Sequence, residues 1–347
     1  MTRLRLSLLA LLAVLSGGFL HLSVVRAVSA ACPPYGWFPD NFGLKDHSVF
    51  KYDGYYYLVS IFIPGERKFA YARSQDLCEW EDLGPILAER TPGTWDEMAI
   101  WAPFVLEEAD VYYLYYTGVT SDFTQSIMLV TSTDPADPTA WQPQGMIFQP
   151  THPGAGWTAG IWADCRDPHV IYADGQYYLF YTGTDIAGGI VGVASAPAPE
   201  GPWTDLGPVV PPVLDQYYES PSVFFHDSGY FLAYHKIQSG LSAGTFTEIS
   251  ETPAGPYSSP QFLGYGWAHE FWQDAEFAWY TSYLTTYKVT IAPVFWNAYQ
   301  TPPRPMLVQM SHAMYIPNVL APFARPPAQV HGPLPTPTPT PSFSAPP

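Results

Sequence analysis

The chain has 347 residues, of which only 13% are charged and 16% are aromatic, with 38 prolines and 12 tryptophans. Such a composition can bury a large core and favours strands over helix bundles, which argues against an all-α fold. With 31 acids against 14 bases the formal net charge is −17, so nucleic acid and anionic membrane surfaces would be repelled and no nucleic-acid partner is expected.

In chain order, residues 1–31 read as a signal peptide. Arg3 and Arg5 supply a basic start, Leu6 to Leu20 an apolar stretch, and Val28-Ser29-Ala30-Ala31 a small-residue cleavage site. The expected location is therefore secreted or extracellular. Ser29-Ala30-Ala31-Cys32 loosely resembles a lipoprotein cleavage site, in which an acylated Cys32 would form a cell-surface tether. No later apolar run is long enough to add a transmembrane segment after export. Residues 326–347, rich in Pro and Thr, predict a disordered, extended tail, leaving residues 32–325 as one folded domain. Cys78 and Cys165 could pair in an oxidising compartment, and the absence of a C-x-x-C pair argues against a zinc ribbon or redox motif.

Between these ends one phrase recurs: a polar or acidic residue, a short apolar run, a tight turn, then an aromatic strand. Its copies start at Asp46, Trp101, Arg166, Glu219 and Ala268, with the turns Asp53-Gly54, Asp174-Gly175 and Ser228-Gly229 the clearest. Asp-Gly between β-rich runs signals a hairpin. Turn-to-turn spacing of about 50–65 residues holds four short strands. Phe69 to Ser74 and Ile190 to Ser195 read as further strands leading to Trp80 and Trp203. Five such units predict an all-β, five-bladed β-propeller. A pair of β-sandwiches would alternate as well, but would not explain one phrase at blade-sized intervals.

Equivalent positions in different blades converge on the propeller axis. Asp46 and Asp167 each lie eight residues before a turn glycine, and Glu219 lies ten before Gly229, which predicts three carboxylates in one funnel. Clustered, desolvated acids raise each other's pKa and cost stability, so the arrangement points to chemistry. Glycoside hydrolysis requires it: one carboxylic acid protonates the leaving oxygen, while a carboxylate opposite activates water or attacks the sugar.

These residues resemble a known group. Arg166-Asp167-Pro168 resembles the Arg-Asp-Pro motif of the five-bladed glycosidases of families 32, 43 and 68, and Glu219-Ser220-Pro221 resembles their acid-catalyst motif. Asp46-His47-Ser48-Val49 is similar to the first-blade Asp-Pro-Ser-Val phrase of family 43, and Trp101-Ala102-Pro103 to its second-blade phrase. The resemblance covers about residues 35 to 290. It implies a glycoside hydrolase with Asp46 as general base or nucleophile, Asp167 as the pKa-tuning and orienting acid, and Glu219 as general acid. The implied partner is an oligo- or polysaccharide containing arabinose, xylose or fructose. Family 43 resemblance favours inversion and family 32 resemblance retention. No cofactor is required by this reading, though a structural calcium or water near His269 on the axis is implied, beside the simpler reading of His269 as a hydrogen-bonding residue.

Two features depart from the pattern. His47 replaces the expected Pro, and Trp37-Phe38-Pro39-Asp40-Asn41 echoes the family 32 nucleophile phrase, but Asp40 lies fourteen residues before Gly54, out of phase. The altered Asp46-His47 phrase supports an alternative, a catalytically inactive carbohydrate-binding propeller. A transferase or phosphorylase is a third reading; a phosphorylase should show more basic residues than Arg166 near the motifs. Trp101, Trp162, Tyr217 and Tyr218, with Arg166 and His269, are candidate substrate-binding residues, the aromatic faces of the first four either stacking on sugar or packing between blades. Gly240 to Gly244 matches a nucleophile elbow, but the residues that follow read as strand, and His269-Glu270 lacks the second His of a zinc-protease motif.

Overall fold

The computed structural model describes residues 35–227, 229–275, 278–297 and 304–307. The signal peptide, Cys32 and the Pro/Thr tail read from the sequence lie outside them. The described residues form strands and turns with no helix, and thus none long and apolar enough to cross a membrane.

A short strand, β1 (Tyr35–Trp37), precedes the first blade, formed by β2 (Gly43–Tyr52), β3 (Tyr55–Ile63), β4 (Phe69–Ser74) and β5 (Glu81–Asp82). The second comprises β6 (Ala99–Glu108), β7 (Val111–Val119), β8 (Gln125–Ser132) and β9 (Gln142–Phe148). The third comprises β10 (Cys165–Ala173), β11 (Gln176–Asp185), β12 (Gly188–Ala196) and β13 (Thr204–Val210). The fourth comprises β14 (Gln216–His226), β15 (Gly229–Gln238), β16 (Leu241–Ser250) and β17 (Ser258–Gly264). The fifth contains β18 (Trp267–Ala275), β19 (Ala278–Thr285) and β20 (Lys288–Asn297), with β21 (Arg304–Leu307) also paired to β20. All pairs within the blades are antiparallel, and the architecture is the five-bladed propeller that the repeat predicts.

The ring is closed by the start of the chain. β1 pairs with β20, so the fifth blade borrows its outer strand from before the first. Gly36 makes this approach possible: its φ is +139°, and a Cβ there would lie 2.0 Å from the Val289 carbonyl oxygen. Five apolar clusters fill the five seams. Phe50, Tyr57 and Tyr71 meet Val105 and Tyr112 in one. Leu44, Leu58 and Trp37 meet Val289 and Ile291 in the closing one.

A buried belt ties the innermost strands together near the axis. Ser48 Oγ accepts the Val105 N–H at 3.1 Å and donates to Glu270 Oε1 at 2.8 Å, while Glu270 Oε2 accepts the Val49 N–H at 2.9 Å. His169 Nε2 bonds the Val223 carbonyl at 2.9 Å, Ser222 Oγ accepts the Phe271 N–H at 3.4 Å, and Phe104 packs on the His169 ring at 4.1 Å. These side chains hold one repeat position, so each blade grips the next through the same step. The sequence expectation for the cysteines is corrected: Cys78 is disulfide-bonded, whereas Cys165 is free and fully buried beneath blades two and three, so the two do not pair with each other.

Candidate active site

Each innermost strand is interrupted near its start by a β-bulge whose extra residue has left-handed backbone. These residues are Asp46 (φ 28°), Ala102 (44°), Asp167 (56°), Ser220 (52°) and Ala268 (51°). A bulge re-aims the side chains around it, and here five bulges turn theirs toward one mouth of the axis. The repeat phase therefore differs in one respect from the sequence reading. Asp46 and Asp167 are equivalent, but Ser220 shares their position, and Glu219 stands one residue earlier, in the place held by Lys45 and Arg166. Proline follows the bulge in blades two to four, where the ladder is broken and no N–H is needed. His47, by contrast, keeps register with Ser60 and bonds Ser282 Oγ of the fifth blade at 2.6 Å, which accounts for its replacing proline.

The three predicted acids meet. Asp46, His47, Asp167, His169, Ser220 and His269 are among the residues lining an axial cavity of about 40 Å³. Asp167 Oδ2 accepts the Ser220 N–H at 2.8 Å and the Thr182 hydroxyl at 2.9 Å, and the Asp167 N–H donates to Thr117 Oγ1 at 3.1 Å. Glu219 Oε1 receives Arg166 Nη2 at 2.9 Å, and Arg166 Nε lies 3.8 Å from Asp167 Oδ2. Burial and the neighbouring Asp167 charge push Asp46 up to about 7, against the pull of Lys45. Its Oδ1 is buried with no hydrogen-bond partner. Glu219 is also raised, by burial first, with Arg166 opposing and Asp167 reinforcing.

Two neighbouring groups were not singled out by sequence reasoning. Asp164 is a hub: its Oδ1 accepts Arg166 Nη1 at 2.7 Å and Trp162 Nε1 at 2.9 Å, and its Oδ2 accepts the Thr184 hydroxyl. Its position two residues before Arg166, on the same side of an extended chain, was the available signal. Lys45, beside Asp46, pairs with Glu66 Oε1 at 3.2 Å; burial opposes its charge, but Glu66 and Asp46 raise its pKa overall.

The other sequence candidates divide. Trp162 is half-buried and stacks on Phe123 at 5.1 Å and 20°. Trp101 is half-buried against the seam between blades one and two, and its Nε1 is buried without a partner. Tyr218, read as a sugar contact, is instead 4% exposed, packed edge-on to Tyr234 at 5.2 Å within the seam between blades three and four; the phenol ring fills that interior better than it would the mouth. Tyr217 is half-buried beside the Gly189 backbone. Asp40 is exposed between β1 and β2, and the elbow-like Gly240 to Gly244 runs from a turn into β16. His269 bonds Thr281 Oγ1 through Nδ1 at 3.1 Å and stacks on Tyr283 at 4.8 Å, leaving Nε2 buried and unpartnered. One imidazole nitrogen is a poor donor set for calcium, which takes six to eight oxygens. Among the described residues no group of three or more His, Cys, Asp or Glu could hold a metal ion. The donors do not fit a protein-ligated calcium, and no step below passes through one.

A five-bladed propeller with three converging acids at one mouth of its axis is the architecture implied by the motif resemblance. Comparison with known proteins agrees on the fold. The model of glycosyl hydrolases family 43 matches residues 41–159. The probable arabinan endo-1,5-alpha-L-arabinosidase C of Aspergillus fumigatus is 33% identical over 111 residues, 25% of this chain and 33% of the relative. The corresponding Neosartorya fischeri protein matches to the same extent, so the chain spans about a third of the length of these curated relatives. Among solved structures, a thermostable family-43 glycoside hydrolase superposes with a TM-score of 0.63 at 18% identity, covering 82% of this chain and 97% of the other. The Cellvibrio cellulosa alpha-L-arabinanase complexed with arabinohexaose gives 0.59 at 17%, covering 77% and 95%. At these identities the superpositions establish the fold.

Proposed function

We propose that the chain is an exported glycoside hydrolase of the family 43 type, acting on arabinose-containing glycans such as α-1,5-linked arabinan. The observation that carries this reading is that Asp46 and Asp167 line one axial cavity while Glu219, from a third blade, is held beside Asp167 through Arg166, with Asp46 raised by burial and by the Asp167 charge. Glu219 is the general acid. Burial shifts it toward the protonated form against the pull of Arg166, and Arg166 at 2.9 Å meets the carboxylate that forms once the proton passes to the leaving oxygen. Its contact strengthens as charge develops, which is what accelerates a reaction. Asp46 activates water or attacks the sugar, its unpartnered Oδ1 being free to accept that bond. Asp167 spends one oxygen on Ser220 and Thr182, which orients it and fixes the backbone next to Glu219. The relatives' names support arabinan over xylan or fructan. His47, the argument for an inactive binding module, is engaged in closing the ring and leaves the acids in place. Incubation of the purified protein with linear arabinan, aryl arabinofuranoside, aryl xyloside and sucrose tests the reading. Cleavage of the arabinan is expected; binding of arabinan without cleavage of any of the four would reject hydrolysis.

A further inference from the structure

The turns joining the second and third strands of each blade surround the mouth that holds the acids. In the fourth blade this turn is Ser239-Gly240, with φ of 50° and 75°, between the paired residues Gln238 and Leu241. Such left-handed two-residue turns favour glycine or asparagine because other side chains crowd the backbone. The fifth blade makes the same turn with Thr286-Tyr287, at φ 49° and 60°, between Thr285 and Lys288. A β-branched residue and a bulky aromatic are poor choices there, and Tyr287 recovers little by packing, since 41% of its surface is exposed. Its position relates it to the site: the Tyr287 carbonyl accepts the Leu44 N–H at 2.8 Å, two residues before Asp46. Gly43 permits this approach, because a Cβ there would lie 3.1 Å from the Tyr287 Cβ. In the second blade the corresponding connection is a longer loop, residues 120–124 between β7 and β8, and it too holds an aromatic residue in left-handed backbone. Phe123 is left-handed at φ 65° and stacks on Trp162.

Strain held at the rim of a cavity points to function when packing does not explain it. We propose that Tyr287 is a sugar-stacking platform for an extended, uncharged glycan, which lies across the mouth from Tyr287 over the acids to the Phe123–Trp162 pair. The inference rests on the glycosidase reading and narrows it to substrates with sugar units on both sides of the scissile bond. An exposed aromatic face at Tyr287 and a half-buried aromatic pair at Phe123 and Trp162, beside an acid-rich site, suit the apolar C–H faces of a neutral sugar better than an anionic ligand.

The test separates affinity from turnover and stability. In a Glu219→Gln background, which binds without hydrolysing, the dissociation constant for α-1,5-linked arabinohexaose is measured by calorimetry with and without Tyr287→Asn and Tyr287→Phe. Tyr287→Asn should weaken binding at least fivefold while leaving Tm unchanged or higher, because asparagine relieves the turn. Tyr287→Phe should retain binding within twofold. Unchanged affinity in Tyr287→Asn, a Tm several degrees lower, or an equal loss in Tyr287→Phe would each overturn the platform. Failure of the unsubstituted protein to cleave arabinan would instead refute the hydrolase reading, and the binding comparison stands apart from it.

Discussion

Ser48→Ala should open the belt that closes the propeller. The hydroxyl accepts the buried Val105 N–H and donates to Glu270 Oε1, so its removal orphans a backbone donor and takes one of two donors from a buried carboxyl group. An unpaired buried N–H costs about 1–3 kcal/mol and the lost bond to the carboxyl about 1 kcal/mol more. A loss of ~2–4 kcal/mol in a propeller of this size lowers Tm by ~5–10 °C. The variant also changes the pH dependence. Burial holds Glu270 at about 8 in the fold against 4.5 for a free glutamate, with Ser48 and the Val49 N–H pulling it down. The folded state thus keeps a proton that the unfolded chain releases. This group's contribution is full below pH 4.5 and falls as pH rises through 8. Without the Ser48 hydroxyl the folded value moves higher, so the loss between pH 6 and pH 9 should be steeper than in the parent protein. Thermal unfolding followed by near-ultraviolet circular dichroism at both pH values provides the measurement. A Tm drop below 1 °C at pH 6, or parallel losses at pH 9, would refute the belt as a closing element.

Three further outcomes are expected. Gly36→Ala forces a Cβ to within 2.0 Å of the Val289 oxygen at a φ of +139°; detaching β1 from the fifth blade should cost about 2–4 kcal/mol in denaturant unfolding. His47, His169, His235 and His269 are held by burial at about 3, 4, 4 and 3. They stay neutral in the fold while the unfolded chain takes up protons, so their contribution to stability should be full above pH 6.5 and decline as pH falls toward 4; four such groups outweigh the opposite trend of Glu270, giving a lower Tm at pH 5 than at pH 7. Arg166→Lys keeps the charge but not the planar fork that reaches Asp164 and Glu219 together. Weaker contact with Glu219 should raise its pKa, moving the alkaline limb of the kcat/KM profile to higher pH with an activity loss of about tenfold.

The fold was legible because hairpins are local. Asp53-Gly54 and Asp174-Gly175 mark their turns, and the aromatic runs after them become β3 and β11 as read. Closure was not legible, because the pairing of Tyr35 with Ile291 joins the two ends of the propeller sequence and leaves no trace in spacing. The same limit explains Glu219. Counting to the turn glycine placed it near the axis, but the bulge that decides its phase is a backbone conformation at Ser220, a residue type that does not announce φ of 52°. Tyr218 and Trp162 look alike in sequence, and only the packing of adjacent blades sends one into a seam and the other to the mouth. The cysteines show the limit of counting too: Cys165 is free and buried in the cluster with Phe148 and Tyr181.

Glu219 as the acid of a three-carboxylate site is tested most directly through the leaving group. Glu219→Gln should lose about 10²–10⁴ in kcat/KM on an arabinan oligosaccharide, whose alkoxide leaves only with a proton. On dinitrophenyl arabinofuranoside, whose phenolate departs unaided, the loss should be at least tenfold smaller. Equal losses on the two substrates, or undiminished turnover of the oligosaccharide, would contradict the assignment.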